Sequence, residues 1–417
     1  MQTLWDGSSP RRRNRPVLQQ GKKKEVRDAP FLVFDIAEVE KKVKEWKEAM
    51  PRVAIFYAVK ANSDPELLRT LASLNIGFDC ASKNEIDAVI KLDVPPDRIV
   101  YSNCFKGASH LLHAAKMRVK LMVFDSKEEL EKIKRLYPCA RLLLRIKITT
   151  SSASIPMSCK FGCDFENSID LLDCARSLDL TVVGVSFHVG SLIQDPKDFE
   201  EAIQLSRSVF DAAKSMDMKL TVLDIGGGFP GYKGSAGLFN KMAVSINRAI
   251  DEYFPPDGHY TIFAEPGRYI VTSAFTLCAN IIGKKERKTN EGSEVMYIIN
   301  EGIYGLFVHK VFHNFKPKPV LKKECKDLLP CSIWGQTCDP SDLIVEKCML
   351  PELPMGEWLT FDDMGAYTTA CATTFNGFEK TKVNYIVSRT QCNKKEIYNY
   401  INHRKFLIQL VVLKSRL

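Results

Sequence analysis

From residue 54 onward, short apolar runs recur at a spacing of about 22 residues that lengthens further along, each followed by a stretch of helical periodicity. The runs are Ala54–Val59, Ile76–Cys80, Arg98–Tyr101, Lys120–Phe124, Arg141–Ile146, Thr181–Phe187, Leu220–Ile225 and Tyr260–Ala264. Between them, Leu67, Leu68, Leu71 and Leu74 form one helical stripe, and Leu130, Ile133 and Leu136 another. Helix starts are marked by Ser63-Asp64-Pro65-Glu66 and by Ser126 with Glu129, a capping box. Eight strands, each followed by a helix, predict a (β/α)8 barrel rather than an open doubly wound sheet. After about residue 270 the pattern changes to strand-like segments with Gly, Pro and Asn turns, such as Val295–Ile299, Trp358–Phe361 and Val383–Val387. The expected organisation is a basic tail over 1–29, a barrel over 30–270 and a mostly-β domain over 271–417. Residues 30–50 contain FLVFDIA directly after Pro30, which suits a strand of that second domain.

A parallel barrel does its chemistry where strands end, and the unusual residues of this chain stand there. The first run, within PRVAIFYAVKANS, ends on Lys60, the second on Asp79, and the fifth carries Arg145 inside LLLRIKI. The sixth ends in FHVGS with His188 and Ser191, the seventh in DIGGGFPG with Gly226, Gly227 and Gly228, and the eighth in AEPGRY with Glu265, Pro266, Gly267 and Arg268. Lysine forms Schiff bases with carbonyl cofactors. Consecutive glycines let backbone N–H groups approach a phosphate, and Arg268 adds charge-assisted donors on the adjacent strand. A carboxylate such as Glu265 suits a pyridine nitrogen that must stay protonated. Singly, each residue has an ordinary reading: a surface lysine, a tight turn, a structural ion pair, a core histidine. Together they point to pyridoxal phosphate.

The net charge of +9 suggests nucleic acid until it is located. Residues 1–28 carry eight Arg or Lys against three acids, and the remainder is near balance, with no interleaved basic–aromatic stripe. Nucleic-acid binding is not expected. The thirteen cysteines form no CxxC pair and no zinc-ligand spacing, so no metal site is expected and the thiols read as reduced, in a cytoplasmic protein. No apolar run approaches the roughly 20 residues of a membrane span.

The segments FYAVKAN, GFDCASKNEI, KFG, GVSFHVGS, LDIGGGFPG, AEPGRYIVTSAF, SIWGQTCDPSD and MGAYTTACATTFNGF resemble the eukaryotic ornithine decarboxylase family over about residues 30–390. The family has a pyridoxal-phosphate barrel of the alanine racemase type and a C-terminal β domain. The resemblance implies that Lys60 carries the cofactor, His188 stacks on its ring, and Glu265 pairs with its pyridine nitrogen, supported by Asp79 and Arg145. Ser191, Gly228, Gly267, Arg268 and Tyr367 would hold the phosphate. It further implies a homodimer with shared active sites, Cys338 and Asp339 reaching into the partner's site and Cys338 returning a proton after carbon dioxide leaves. The segment 107–141, with Lys116, Arg118, Lys120, Lys132, Lys134 and Arg135, lies where the family binds antizyme; such a run is also an ordinary solvated helix face.

The chain departs from the family at both ends and in one place that bears on substrate. The N-terminus is short and basic, and INHRKFLIQLVVLKSRL is unlike an acidic Pro- and Ser-rich degradation tail. Where the family has a Tyr-Asp pair for a distal ammonium, this chain reads Phe312 and His313. Losing that carboxylate favours a neutral branched amino acid, leucine first, and is similar to a leucine-decarboxylating branch of the family. The alternatives are an ornithine or lysine decarboxylase, since Asp339 remains, and a catalytically dead protein resembling the antizyme inhibitors. The intact set of cofactor residues speaks against the latter. A racemase of the same barrel type pairs the pyridine nitrogen with arginine, which Glu265 argues against.

Overall fold

The computed structural model describes residues 28–149, 152–289, 292–313, 315–320 and 326–388. The chain opens on β1 (Phe31–Asp35), and the eight expected runs then close into one parallel barrel. Its strands are β2 (Val53–Ala58), β3 (Gly77–Cys80), β4 (Ile99–Tyr101), β5 (Leu121–Phe124), β6 (Arg141–Arg145), β7 (Thr181–Ser186), β8 (Val222–Asp224) and β9 (Thr261–Ala264). Closure comes from β2 pairing with β9, Val53 opposite Ile262. Strand side chains alternate between two apolar layers, as a barrel buried on both faces requires. Val100, Val123, Leu143, Val222 and Phe263 fill the interior, whereas Tyr57, Phe78, Met122 and Leu144 meet the helices outside. Each fully buried side chain of this kind contributes about 1.5–3 kcal/mol.

The helix Pro65–Ser73 buries Leu67, Leu68 and Leu71, with Asp64 capping the N–H groups of Glu66 and Leu67. The capping box at the helix Lys127–Leu136 is only half formed. Ser126 Oγ accepts from Glu129 N–H at 3.4 Å, but the Glu129 carboxylate turns instead to the ammonium groups of Lys106, at 3.0 Å, and Lys132. Lys106 is fully buried, and an unpaired buried ammonium costs more than an open cap.

The second unit is a sheet of β1, β10 (Phe275–Thr289), β11 (Gly292–Ile299), β12 (Pro319–Val320), β13 (Leu329–Trp334), β14 (Leu343–Leu350), β15 (Trp358–Phe361) and β16 (Lys382–Ile386). The first half of β10 pairs antiparallel with β1 and β15, and its second half with β11, with a register shift between Ile281 and Gly283. The segment before the barrel is thus a strand of the β unit: β1 runs between β10 and β16, and Phe34 stacks on Phe275 with ring centroids 4.4 Å apart. The segment after β15 returns to the mouth of the barrel, where Tyr367 N–H donates to Ala61 O at 2.8 Å. No helix among the described residues is long and apolar enough to cross a membrane. Residues 1–27 of the expected basic tail and the segment 401–417 lie outside the described residues.

Candidate active site

The strand ends at one mouth of the barrel gather the polar residues that the sequence singled out. Lys60 sits in a single 3-10 turn, Val59–Ala61, directly after β2. Its Nζ donates to Asp79 Oδ2 on β3, and Asp79 is 1 % exposed, with Oδ1 buried and without a hydrogen-bond partner. Burial opposes the charge on Lys60, but Asp79 and the nearby Glu265 outweigh it and hold the ammonium above its usual value.

On the neighbouring strand, Glu265 follows β9, is 5 % exposed and accepts from Ser102 Oγ at the end of β4. Behind it stands Asp224, the last residue of β8 and fully buried. Asp224 Oδ2 accepts from Ser186 Oγ at 2.7 Å and Oδ1 from Gly226 N–H at 2.9 Å. Burial pushes Asp224 up to about 6. Burial, then the charges of Asp224 and Asp79, raise Glu265 well above the ordinary carboxylate range. Asp224 and Ser102 were not singled out from the sequence; Asp224 reads there as one residue of an apolar strand end.

His188 follows β7, with its ring against Gly227. Its Nδ1 accepts from Gly190 N–H at 3.0 Å, which leaves the hydrogen on Nε2. Burial, then the positive charges of Arg145 and Lys60, push the imidazolium well below its usual range, so the ring is neutral. Arg145 ends β6, with its guanidinium 4.9 Å from the Phe161 ring centroid.

A third group of residues forms a cradle. Arg268 Nε donates to Ser191 Oγ at 3.0 Å, and Arg268 Cζ lies 4.5 Å from the Tyr367 ring centroid. Gly228 has φ +122, and a Cβ on Gly227 would come within 2.8 Å of His188 Nε2 and 2.9 Å of Glu265 O. Side chains are excluded there, so backbone alone lines that side. Pro266 O accepts from Ala58 N–H at 3.4 Å, joining the Glu265–Arg268 segment to the end of the lysine strand.

This set fits pyridoxal phosphate. At one mouth of the barrel stand a lysine amine, a buried carboxyl suited to a pyridine nitrogen and a neutral flat imidazole, and a glycine cradle with one arginine offers a phosphate seat. The unpartnered oxygen of Asp79 shows that the polar network is incomplete without a further group.

The expected substrate residues stand apart from this cluster, on the β unit. Phe312 and His313 fall in the short helix Val308–His313, and Phe312 is 66 % exposed. Cys338 is exposed, and its N–H donates to Asn376 Oδ1 at 3.0 Å. Asp339 accepts from Tyr304 Oη and from Ser341 N–H. Tyr304 in turn stacks on Phe375, with ring centroids 4.3 Å apart.

Residues 36–272 match the family described as "Pyridoxal-dependent decarboxylase, pyridoxal binding domain". The chain is 45% identical to ornithine decarboxylase of Rattus norvegicus, over 86% of this chain and 81% of that protein. It is likewise 45% identical to antizyme inhibitor 2 of Xenopus laevis, over 89% and 84%. Among solved structures, the arginine decarboxylase of Paramecium bursaria Chlorella virus superposes with a TM-score of 0.83 at 37% identity, covering 86% of this chain and 96% of that one.

Proposed function

The chain belongs to the ornithine decarboxylase family of pyridoxal-dependent decarboxylases, and from that premise we propose that its substrate is a neutral branched amino acid, L-leucine first. It is a pyridoxal-phosphate-dependent amino-acid decarboxylase. The observation that carries the substrate reading is the pair Phe312 and His313, which replaces a phenol and a carboxylate suited to a distal ammonium. Asp339 remains, held by Tyr304, so ornithine and lysine are disfavoured rather than excluded. The products are the amine and carbon dioxide, made in the cytoplasm.

Pyridoxal phosphate, when bound, supplies the electron sink that lets the bond to the carboxylate carbon break. Lys60 would hold it covalently, Asp79 keeps that lysine in place, and burial, then Arg145, keeps uncharged the His188 ring that would stack on it. Glu265, backed by Asp224, would face the pyridine nitrogen. Arg268, Ser191, Tyr367 and the glycines Gly226–Gly228 with Gly267 seat the phosphate. Cys338 would return the proton to the substrate carbon. Cys338 and Asp339 lie on an exposed loop of the β unit, which supports a homodimer in which each copy completes the other's site. Carbon dioxide release from a panel of amino acids tests the substrate: leucine should exceed ornithine and lysine, and the reverse order rejects the reading.

A second reading, antizyme binding through 107–141, is favoured by the likeness to the Xenopus antizyme inhibitor. It is compatible with catalysis. Binding of purified antizyme to the protein, lost on reversing the charges of Lys116, Arg118 and Lys120, tests it.

A further inference from the structure

Asn62 follows the lysine-bearing turn, is 1 % exposed, and uses every polar atom it has. Its Nδ2 donates to Gly365 O at 2.8 Å, and its Oδ1 accepts from Asp64 N–H at 3.0 Å. Its own N–H donates to Val59 O at 3.1 Å, closing the turn that displays Lys60, and its carbonyl accepts from Tyr57 Oη at 2.9 Å. One residue earlier, Ala61 O accepts from Tyr367 N–H. Two rungs therefore join the Lys60 turn to the segment that carries Tyr367. Gly365 is pressed against the residues that follow Arg268: its N–H donates to Thr272 O at 3.1 Å, and a Cβ there would lie 1.8 Å from Val271 O. The contacts run without a gap from Lys60 through Asn62 and Gly365 to Tyr367, Arg268 and Ser191.

We propose that Asn62 is a positioning residue that sets the separation between Lys60 and the Ser191–Arg268–Tyr367 group, so that one cofactor is gripped at its aldehyde and its phosphate together. A second grip adds to the first only when the two are held at the span of the ligand. Asn62 is the side chain that crosses from one to the other, and it touches neither end of the cofactor site. The inference rests on the reading of Lys60 and of the Arg268 group as those two ends.

The test compares the affinity of cofactor-free protein for pyridoxal phosphate and for pyridoxal, which lacks the phosphate. Wild type should prefer the phosphate ester strongly. In Asn62→Ser, which keeps an acceptor for Asp64 N–H but is too short to reach Gly365 O, that preference should fall by about tenfold or more, a typical coupling between two sites. Pyridoxal itself should bind nearly as before. An unchanged preference, whether both affinities fall or neither does, overturns the proposal and marks Asn62 as merely structural. Asn62→Asp, the same size but with an oxygen facing Gly365 O, decides the question in the same way if the serine variant does not fold. Lys60→Ala keeps the two failures distinct. If wild type shows no Lys60-dependent absorbance band with pyridoxal phosphate, the site reading falls and the proposal with it. If the band is present and the preference unmoved, only the role of Asn62 is rejected.

Discussion

Asp224 and Glu265 are two buried carboxyls at the ends of neighbouring strands β8 and β9, each within the electrostatic reach of the other. Two like charges so placed in a dry site do not both ionise at neutral pH without penalty, so the pair holds a proton. A carboxylate that faces a pyridine nitrogen must present negative charge in the loaded enzyme, and Asp224 reinforces Glu265 in that task. In the cofactor-free protein burial opposes ionisation of both carboxyls.

That burial has a pH signature. Asp224 is raised in the folded state by burial, to about 6, and Glu265 is raised as well. For a group raised on folding, the folded state binds the proton more tightly than the unfolded chain. The stability it contributes is therefore present below its unfolded value near 3.8 and lost as pH rises through about 6. Asp224→Asn removes the loss. Cofactor-free Asp224→Asn should melt above wild type at pH 8, by on the order of 2 kcal/mol, and the difference should shrink toward pH 4. Parallel melting curves across that range would show that the pair carries no such strain.

Asp79 makes a separate prediction through Lys60. An amine must lose its proton before it attacks an aldehyde, and Asp79 holds that proton on. Asp79→Asn should therefore move the pH midpoint of cofactor loading downward, by about 1–2 pH units. The rate at which the absorbance band of the loaded protein grows, measured against pH, reports this directly. An unshifted midpoint would assign the proton's retention to another group.

The barrel was legible in the sequence because each strand is a short apolar run bounded by turns, and a parallel strand buried on both faces needs that composition. Each expected run overlaps a strand, from Val53–Ala58 to Thr261–Ala264, with ends displaced by a few residues at most. Strand-end charges stood out for the same reason: Lys60 and Arg145 interrupt apolar runs. The partners of those charges were not legible. Ser102 and Glu265 are 163 residues apart, and Asn62 and Gly365 are 303 apart. No local pattern links such pairs, since closure of the barrel and the return of the β unit create the contact. Glu129 failed as a capping partner for a related reason, because the buried Lys106 lies 23 residues away and took its carboxylate.

If Cys338 acts from a second copy, inactive variants should complement each other. A mixture of Lys60→Ala and Cys338→Ala should regain activity, because each mixed dimer contains one site with an intact lysine and an intact loop. Each variant alone should be strongly impaired. Mixtures that stay inactive while subunit exchange is demonstrated by labelled chains would place the loop in its own subunit's site.

The substrate prediction follows from the charge that this chain lacks. Removing one partner of a desolvated ion pair typically costs about 3–5 kcal/mol, which is roughly two to three decades in affinity. With His313 in place of a carboxylate and Phe312 in place of a phenol, a terminal ammonium loses its receiver while an alkyl side chain loses nothing. Leucine should therefore be turned over more efficiently than ornithine or lysine. Discrimination among leucine, isoleucine and valine should be modest, since one methylene is worth about 1–3 kcal/mol in such a pocket. The double variant Phe312→Tyr with His313→Asp should recover ornithine activity by about tenfold or more and lose part of the leucine activity. The ratio of kcat/KM for the two substrates is the measurement. Ornithine turnover by the unmodified protein equal to or above that of leucine would reject the assignment, and would identify Asp339, with Tyr304 displaced from it, as a sufficient partner for the distal ammonium.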